Sequence, residues 1–195
     1  MVFNNLLFNS KSYFKKYQEK QIFRDLLLIF VAYHPSIEEV ENLKKSLSTL
    51  SSNIGYAVVS NSHIEGEPIE KLIDDSDYFL SNIDNPGYGA AINRLAKNIG
   101  YSPKYIGILN TDLYWENNTF ERLVTWLSSN RNCVLAVPKI VDNLGNIQKL
   151  CKQNPTILAL FSRRFIPNFL KPKFLKKYDN WYVMAKYNYN EIFES

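Results

Sequence analysis

Apolar residues fall along this chain in two alternating rhythms. Short continuous runs of strand length cover residues 25–32, 55–60, 77–81, 105–110 and 133–140. Between them the apolar positions spread to helical spacing. Ile37, Val40, Leu43, Leu47 and Leu50 predict an amphipathic helix over 37–50. Ser36 reads as its N-cap, with Glu39 three residues on completing a capping box. Pro68 suits the first turn of a short helix through Ile73, and residues 87–99 read as a further helix. Asn118 and Glu121 repeat the capping-box pattern before Phe120, Leu123, Val124 and Leu127, the apolar face of the next helix. After residue 140 the stretch Asp142-Asn143-Leu144-Gly145 predicts a turn, with residues 146–151 returning as a hairpin partner.

Strands alternating with helices over residues 25–140 imply an α/β fold, a mainly parallel sheet with helices on both faces. Residues 1–24 stand outside that rhythm. Tyr13, Phe14, Tyr17 and Phe23 among Lys and Gln suggest an amphipathic docking helix. A composition shift near residue 161 marks a third segment. The expected division is therefore an N-terminal extension at 1–24, a core at 25–160 and a basic aromatic segment at 161–195.

Length and composition agree with an ordinary globular domain: 195 residues, 46% hydrophobic and 22% charged. No run approaches the ~18 apolar residues of a membrane-spanning helix, and no signal peptide is recognisable. A cytoplasmic location is the default expectation. Cys133 and Cys151 lie in strand-like segments and read as buried thiols, with no His or Cys nearby at metal-binding spacing.

Candidate chemistry gathers at two strand ends. The stretch Tyr105-Ile106-Gly107-Ile108-Leu109 reads as a buried strand that stops at Asn110-Thr111-Asp112. A carboxylate at the carboxyl end of such a strand sits where α/β sheets open their ligand crevice, which makes Asp112 a candidate metal ligand. The plainer alternative is that Asn110 and Asp112 start a turn. The second stretch is Asn85-Pro86-Gly87-Tyr88-Gly89-Ala90-Ala91-Ile92-Asn93. Its small residues leave backbone bare at a helix start, which suits either an anion or close packing on the sheet. It is neither a dinucleotide fingerprint nor a P-loop.

Taken with Tyr33-His34-Pro35, Val59-Ser60-Asn61-Ser62 and Val137-Pro138-Lys139-Ile140, followed by Gly145 and Gln148, these stretches resemble a family. The chain is similar over residues 25–165 to family-two inverting glycosyltransferases of the GT-A fold. It is most similar to the rhamnosyltransferase-like enzymes that build bacterial O-antigen and capsule sugars. The resemblance implies a nucleotide-sugar donor, a lipid-linked or polysaccharide acceptor, and Mg²⁺ or Mn²⁺ held on the donor diphosphate by Asp112. It implies that Asn110 supports the metal site and that Tyr33 and His34 meet the nucleotide. It also implies that Ser60 and Asn61 occupy the base-contact position, and that Asn85, Gly87 and Asn93 shape the pocket. Thr111 and Ser60 stand where the family carries Pro and Asp. The family's acceptor half carries a Glu-Asp pair that supplies the general base, and nothing after Asp112 resembles it. The expectation is thus a partial GT-A domain: a donor-binding half, truncated or completed by another chain. The alternative is a non-catalytic nucleotide-sugar-binding or partner-binding fragment.

His34 and His63 read first as turn or surface residues and second as substrate contacts. Lys139 reads as structural. From Phe161 to Tyr189 seven Lys and Arg face one acid, Asp179, and aromatics interleave with them. Arg163-Arg164 suits either a diphosphate or a solvated face. Pro167 and Pro172 rule against one long helix. The plainest reading of the tail is a linker with covering aromatics. Peripheral contact with a membrane at its cytoplasmic face comes second, and a nucleic-acid partner is not expected.

Overall fold

The computed structural model describes residues 7–9, 12–16, 24–100, 102–142, 144–148, 156–167, 169–182 and 184. They divide into two compact units, residues 1–134 and 135–195, so the division falls well before the composition shift near 161.

The first unit opens with a correction. Leu7–Asn9 (β1) and Ser12–Lys16 (β2) are strands paired antiparallel, where an amphipathic helix was expected. The reason lies in the partner. The edge of strand Tyr78–Asn82 (β5) offers an open row of backbone groups. β2 pairs with it antiparallel over five residues, from Ser12 opposite Asn82 to Lys16 opposite Tyr78.

Leu26–Ala32 (β3), Ile54–Ser60 (β4) and Tyr105–Asn110 (β6) complete a six-stranded sheet in the order β1-β2-β5-β4-β3-β6. The pairs β5–β4, β4–β3 and β3–β6 are parallel. β3 is buried on both faces, and Leu27, Leu28, Ile29 and Phe30 have no exposed surface. Each such side chain contributes ~1.5–3 kcal/mol by leaving water, so the centre of the sheet dominates its stability. Helix Ile37–Leu47 (α1) covers one face with Val40, Leu43 and Leu47, beside Ile69 and Leu72 of the 3₁₀ turn Pro68–Leu72. Helix Tyr88–Ala96 (α2) covers the other with Ala91 and Leu95. The capping box of α1 forms as expected: Glu39 N–H donates to Ser36 Oγ at 3.2 Å, and Ser36 N–H to Glu39 Oε2 at 2.6 Å.

β6 is not the fully buried strand its apolar run suggested. Tyr105 and Leu109 pack toward the α1 core, whereas Ile106 and Ile108 are about half exposed. Among the described residues β6 pairs only with β3, so its outer edge and one face stay open. The fifth strand expected over 133–140 does not form. Residues 133–139 have no regular structure, and only Ile140–Val141 (β7) pairs, with Ile147–Gln148 (β8). Cys133 is half-buried, while Cys151 lies outside the described residues.

Helix Thr119–Ser129 (α3) corrects a cap. Asn118 precedes it in the left-handed region (φ 62°) and makes no side-chain cap. Glu121 instead accepts from the Ser51 N–H at 3.0 Å, a tie across 70 residues that outcompetes the local box.

In the second unit the Asp142–Gly145 turn joins β7 to β8. Asp142 Oδ1 accepts from the N–H groups of Leu144 and Asn146 at 2.9 and 2.8 Å. The tail then forms two helices, Ile157–Phe165 (α4) and Lys173–Tyr182 (α5), rather than a linker. Pro167 and Pro172 fall between them, where a missing N–H costs least. No described helix is long and apolar enough to cross a membrane.

Candidate functional site

The strand order reverses at β3: the chain runs outward to β4 and β5 on one side, then returns to β6 on the other. Such a reversal leaves a crevice at the carboxyl ends of the two diverging strands. Register aligns those ends, with Val31 opposite Asn110 and Ala32 opposite Ser60. Two residues past β3 and β4, His34 and Ser62 adopt left-handed backbone, φ 48° and 50°. A non-glycine residue there costs ~1–2 kcal/mol, and such strain tends to collect at functional sites.

Three groups of side chains surround this end of the sheet. In the first, asparagines bind the loops together. Asn82 Nδ2 donates to Asn61 Oδ1 at 2.9 Å, and Asn61 Nδ2 donates to Asn85 Oδ1 at 3.3 Å. Asn85 Oδ1 also accepts from the Gly87 N–H at 3.1 Å. Gly87 has φ 86°, a conformation that admits glycine without strain, and it starts α2 with no side-chain cap. Arg94 on α2 closes the network by donating to Asn82 Oδ1 at 3.1 Å and forking onto Asp84 at 2.6 and 3.1 Å.

The second group is histidine and carboxylate. His34 Nδ1 meets Glu67 Oε1. His63 Nε2 lies 3.0 Å from Glu70 Oε1, and its Nδ1 lies 3.1 Å from Ser60 Oγ. The tautomer protonated on Nε2 satisfies both contacts, donating to Glu70 and accepting from the Ser60 hydroxyl. Glu67 Oε2 is buried and accepts no hydrogen bond, although His63 Nδ1 stands 3.4 Å away. The cluster joins the turn after β3 to the loop after β4.

The third is Asp112, exposed beyond the end of β6. No hydrogen bond or ion pair holds its carboxylate among the described residues. Tyr88, the first residue of α2, feels it: burial chiefly raises the phenol above its ordinary value, and the Asp112 charge raises it further. The turn bearing Asp112 rests on Trp115, whose ring stacks on Phe30 at 6.1 Å and meets Phe120 edge-on at 5.0 Å.

The expected site residues therefore separate by exposure. Tyr33, Asn85, Gly87, Asn110 and Asp112 are exposed around the strand ends. Ser60 and Asn61 are buried, with their polar atoms committed to protein partners, so they position the rim rather than line it. Asn93 is not brought to the group. At ~100° per residue it lies roughly opposite the Ala91–Leu95 stripe, on the exposed face of α2, and Arg94 takes the inward polar position. Arg164 belongs to the second unit, and the Arg163 side chain lies outside the described residues.

Residues that pattern reading passed over include Tyr88, Asn82, Arg94, Glu67 and Glu70. His63, Glu67 and Glu70 do repeat at three- and four-residue spacing, which is the one signal that could have joined them. A shallow cavity of about 490 Å³ along α3, lined by Asn118, Glu121, Arg122 and Trp126 among others, includes none of the expected site residues.

Among the described residues no three His, Cys, Asp or Glu side chains are arranged to hold a metal ion. In the histidine–glutamate cluster both histidines are already engaged by Glu67, Glu70 and Ser60. Asp112, a lone unpaired carboxylate, fits only a hard cation that arrives with a phosphate ligand and keeps most of its waters. No family model, no curated protein and no solved structure matches this chain.

Proposed function

We propose that this chain is the donor-binding part of an inverting glycosyltransferase of the GT-A kind. Its substrate would be a nucleoside-diphosphate sugar, and its product a bacterial surface-polysaccharide precursor, built from a lipid-linked or polysaccharide acceptor at the cytoplasmic face of the membrane. The observation that carries this reading is the unpaired Asp112 carboxylate at the strand-order reversal, beside the first residue of α2.

The donor diphosphate would lie between Asp112 and the uncapped start of α2, where backbone N–H groups favour an anion. Asp112 and Asn110 would hold Mg²⁺ or Mn²⁺, which when bound neutralises charge on the leaving diphosphate. Tyr33 offers an exposed ring for the base, and Asn85 an amide fixed by Asn61 and Gly87. Ser60 and Asn61 hold the rim from beneath. Inverting transfer also needs a base within reach of the attacking hydroxyl, and no residue of this chain is assigned that part.

A second reading, a fragment that binds nucleotide sugar or a partner without turnover, is favoured by the open face of β6, where Ile106 and Ile108 are about half exposed. Calorimetric titration with dTDP-, UDP- and GDP-sugars tests the first reading. Binding strengthened by Mn²⁺ in the native chain and insensitive to Mn²⁺ in Asp112→Ala is the expected result. No binding of any of the three donors, with or without metal, refutes it.

A further inference from the structure

We infer that the α4–α5 pair is a docking surface for an anionic lipid bilayer. In α4 the exposed side chains Ile157, Leu160, Phe161 and Phe165 recur at i, i+3, i+4 and i+8, which places them in one stripe. Ser162, fully buried, lies off that stripe and accounts for the opposite contact, donating to Asp179 Oδ1 of α5 at 3.1 Å. The apolar exposure continues through the connection, where Phe169 is 82% exposed and Leu170 63%. In α5 it resumes with Phe174 and Trp181, two turns apart, while Leu175 and Tyr182 are buried. An isolated exposed Phe needs no explanation, but this many exposed apolar side chains on two packed helices and their connection mark an interaction surface.

Charge selects the partner. Residues 156–184 hold six Lys and Arg against a single acid, Asp179. That acid is neutralised internally: Lys171, only 8% exposed, donates to Asp179 Oδ2 at 2.6 Å. Arg164, Lys173, Lys176 and Lys177 are left exposed around the apolar stripes. Arg164 falls within the α4 stripe, where its long stem can lie along apolar surface with the guanidinium held at the level of phosphate groups. Lysine and arginine beside exposed aromatic side chains is the arrangement of helices that lie in the plane of a bilayer interface. Both helices are too short to cross a membrane. Attachment of such helices strengthens with the apolar area they bury and with their attraction to anionic lipid. This inference does not depend on glycosyl transfer and fails or stands apart from it.

The test is co-sedimentation of the full chain with vesicles of phosphatidylcholine alone or with one-third phosphatidylglycerol, at low and high salt. The chain is expected to pellet with the anionic vesicles, and Trp181 emission to shift to the blue, a shift missing in Trp181→Phe. Each interfacial cation contributes ~5-fold in partitioning. Reversal of Lys173, Lys176 and Lys177 to Glu should therefore lower binding at least ~100-fold. Phe174→Ser with Trp181→Ser should leave only binding that salt abolishes. All these side chains are exposed, so far-UV circular dichroism should be unchanged. Equal binding to neutral vesicles, indifference to the charge reversal, or displacement from anionic vesicles by a single-stranded RNA oligomer would each overturn the inference.

Discussion

Arg94→Leu separates a surface ion pair from a buried amide bond within the same side chain. Arg94 forks onto Asp84, and the two side chains are 31% and 47% exposed. Water screens such a pair, which is worth ~0.5–1 kcal/mol. The same guanidinium also donates to Asn82 Oδ1, and Asn82 has no exposed surface. Its loss leaves a buried acceptor unsatisfied, at ~1–3 kcal/mol. Arg94→Leu should therefore cost ~2–4 kcal/mol, and Asp84→Asn only ~0.5–1 kcal/mol. Urea unfolding at neutral pH reads both from the shift in midpoint at constant slope. The Arg94 variant should also weaken nucleotide-sugar binding, because Asn82 holds Asn61 and Asn61 holds Asn85. Equal losses for the two variants would refute the reasoning, since the whole effect would then belong to the exposed pair.

Gly55 sits in β4 under the Arg24–Asp77 ion pair, whose side chains are 16% and 10% exposed. A Cβ there would stand 1.8 Å from Asp77 Oδ2 and 2.8 Å from Arg24 Nε. Gly55→Ala should break the pair and cost ~3 kcal/mol, and an unchanged urea midpoint would contradict that. Asp112→Asn removes the charge that adds to burial in raising the Tyr88 phenol, so its titration, followed by ultraviolet difference absorbance against Tyr88→Phe, should move down toward the ordinary range without reaching it, because burial persists. No movement would separate Asp112 from the start of α2.

The parallel core was legible because its signals are local and redundant. β3 and β4 are continuous apolar runs, α1 has both a stripe and a capping box, and β6 ends at Asn110 as its pattern stops. What escaped depends on partners distant in sequence. Residues 12–16 become a strand because β5 has a free edge, which their own mix of aromatics and lysines does not announce. Asn118 and Glu121 match a capping box, yet Ser51 takes the carboxylate. The run at 133–140 has strand composition, but among the described residues only its last residue, Ile140, finds a strand to pair with. At the site, the Asn and Asp positions at strand ends were readable because turns and crevices use them. The inward commitment of Ser60 and Asn61 was not, because burial of a polar side chain follows from loops meeting across the sheet. Asn93 misled through proximity in sequence: one residue along a helix turns a side chain by ~100°.

The claim that most needs testing is that a divalent cation and a diphosphate meet beside Asp112. Paramagnetic broadening of backbone amide signals by substoichiometric Mn²⁺ in the presence of a nucleoside-diphosphate sugar locates the ion directly. Signals of Gly87, Tyr88, Asn110 and Asp112 should broaden first, those of α1 should persist, and Asp112→Asn should abolish the effect. Broadening centred instead on Glu67 and Glu70, or along α3, or unchanged in the variant, would contradict the account.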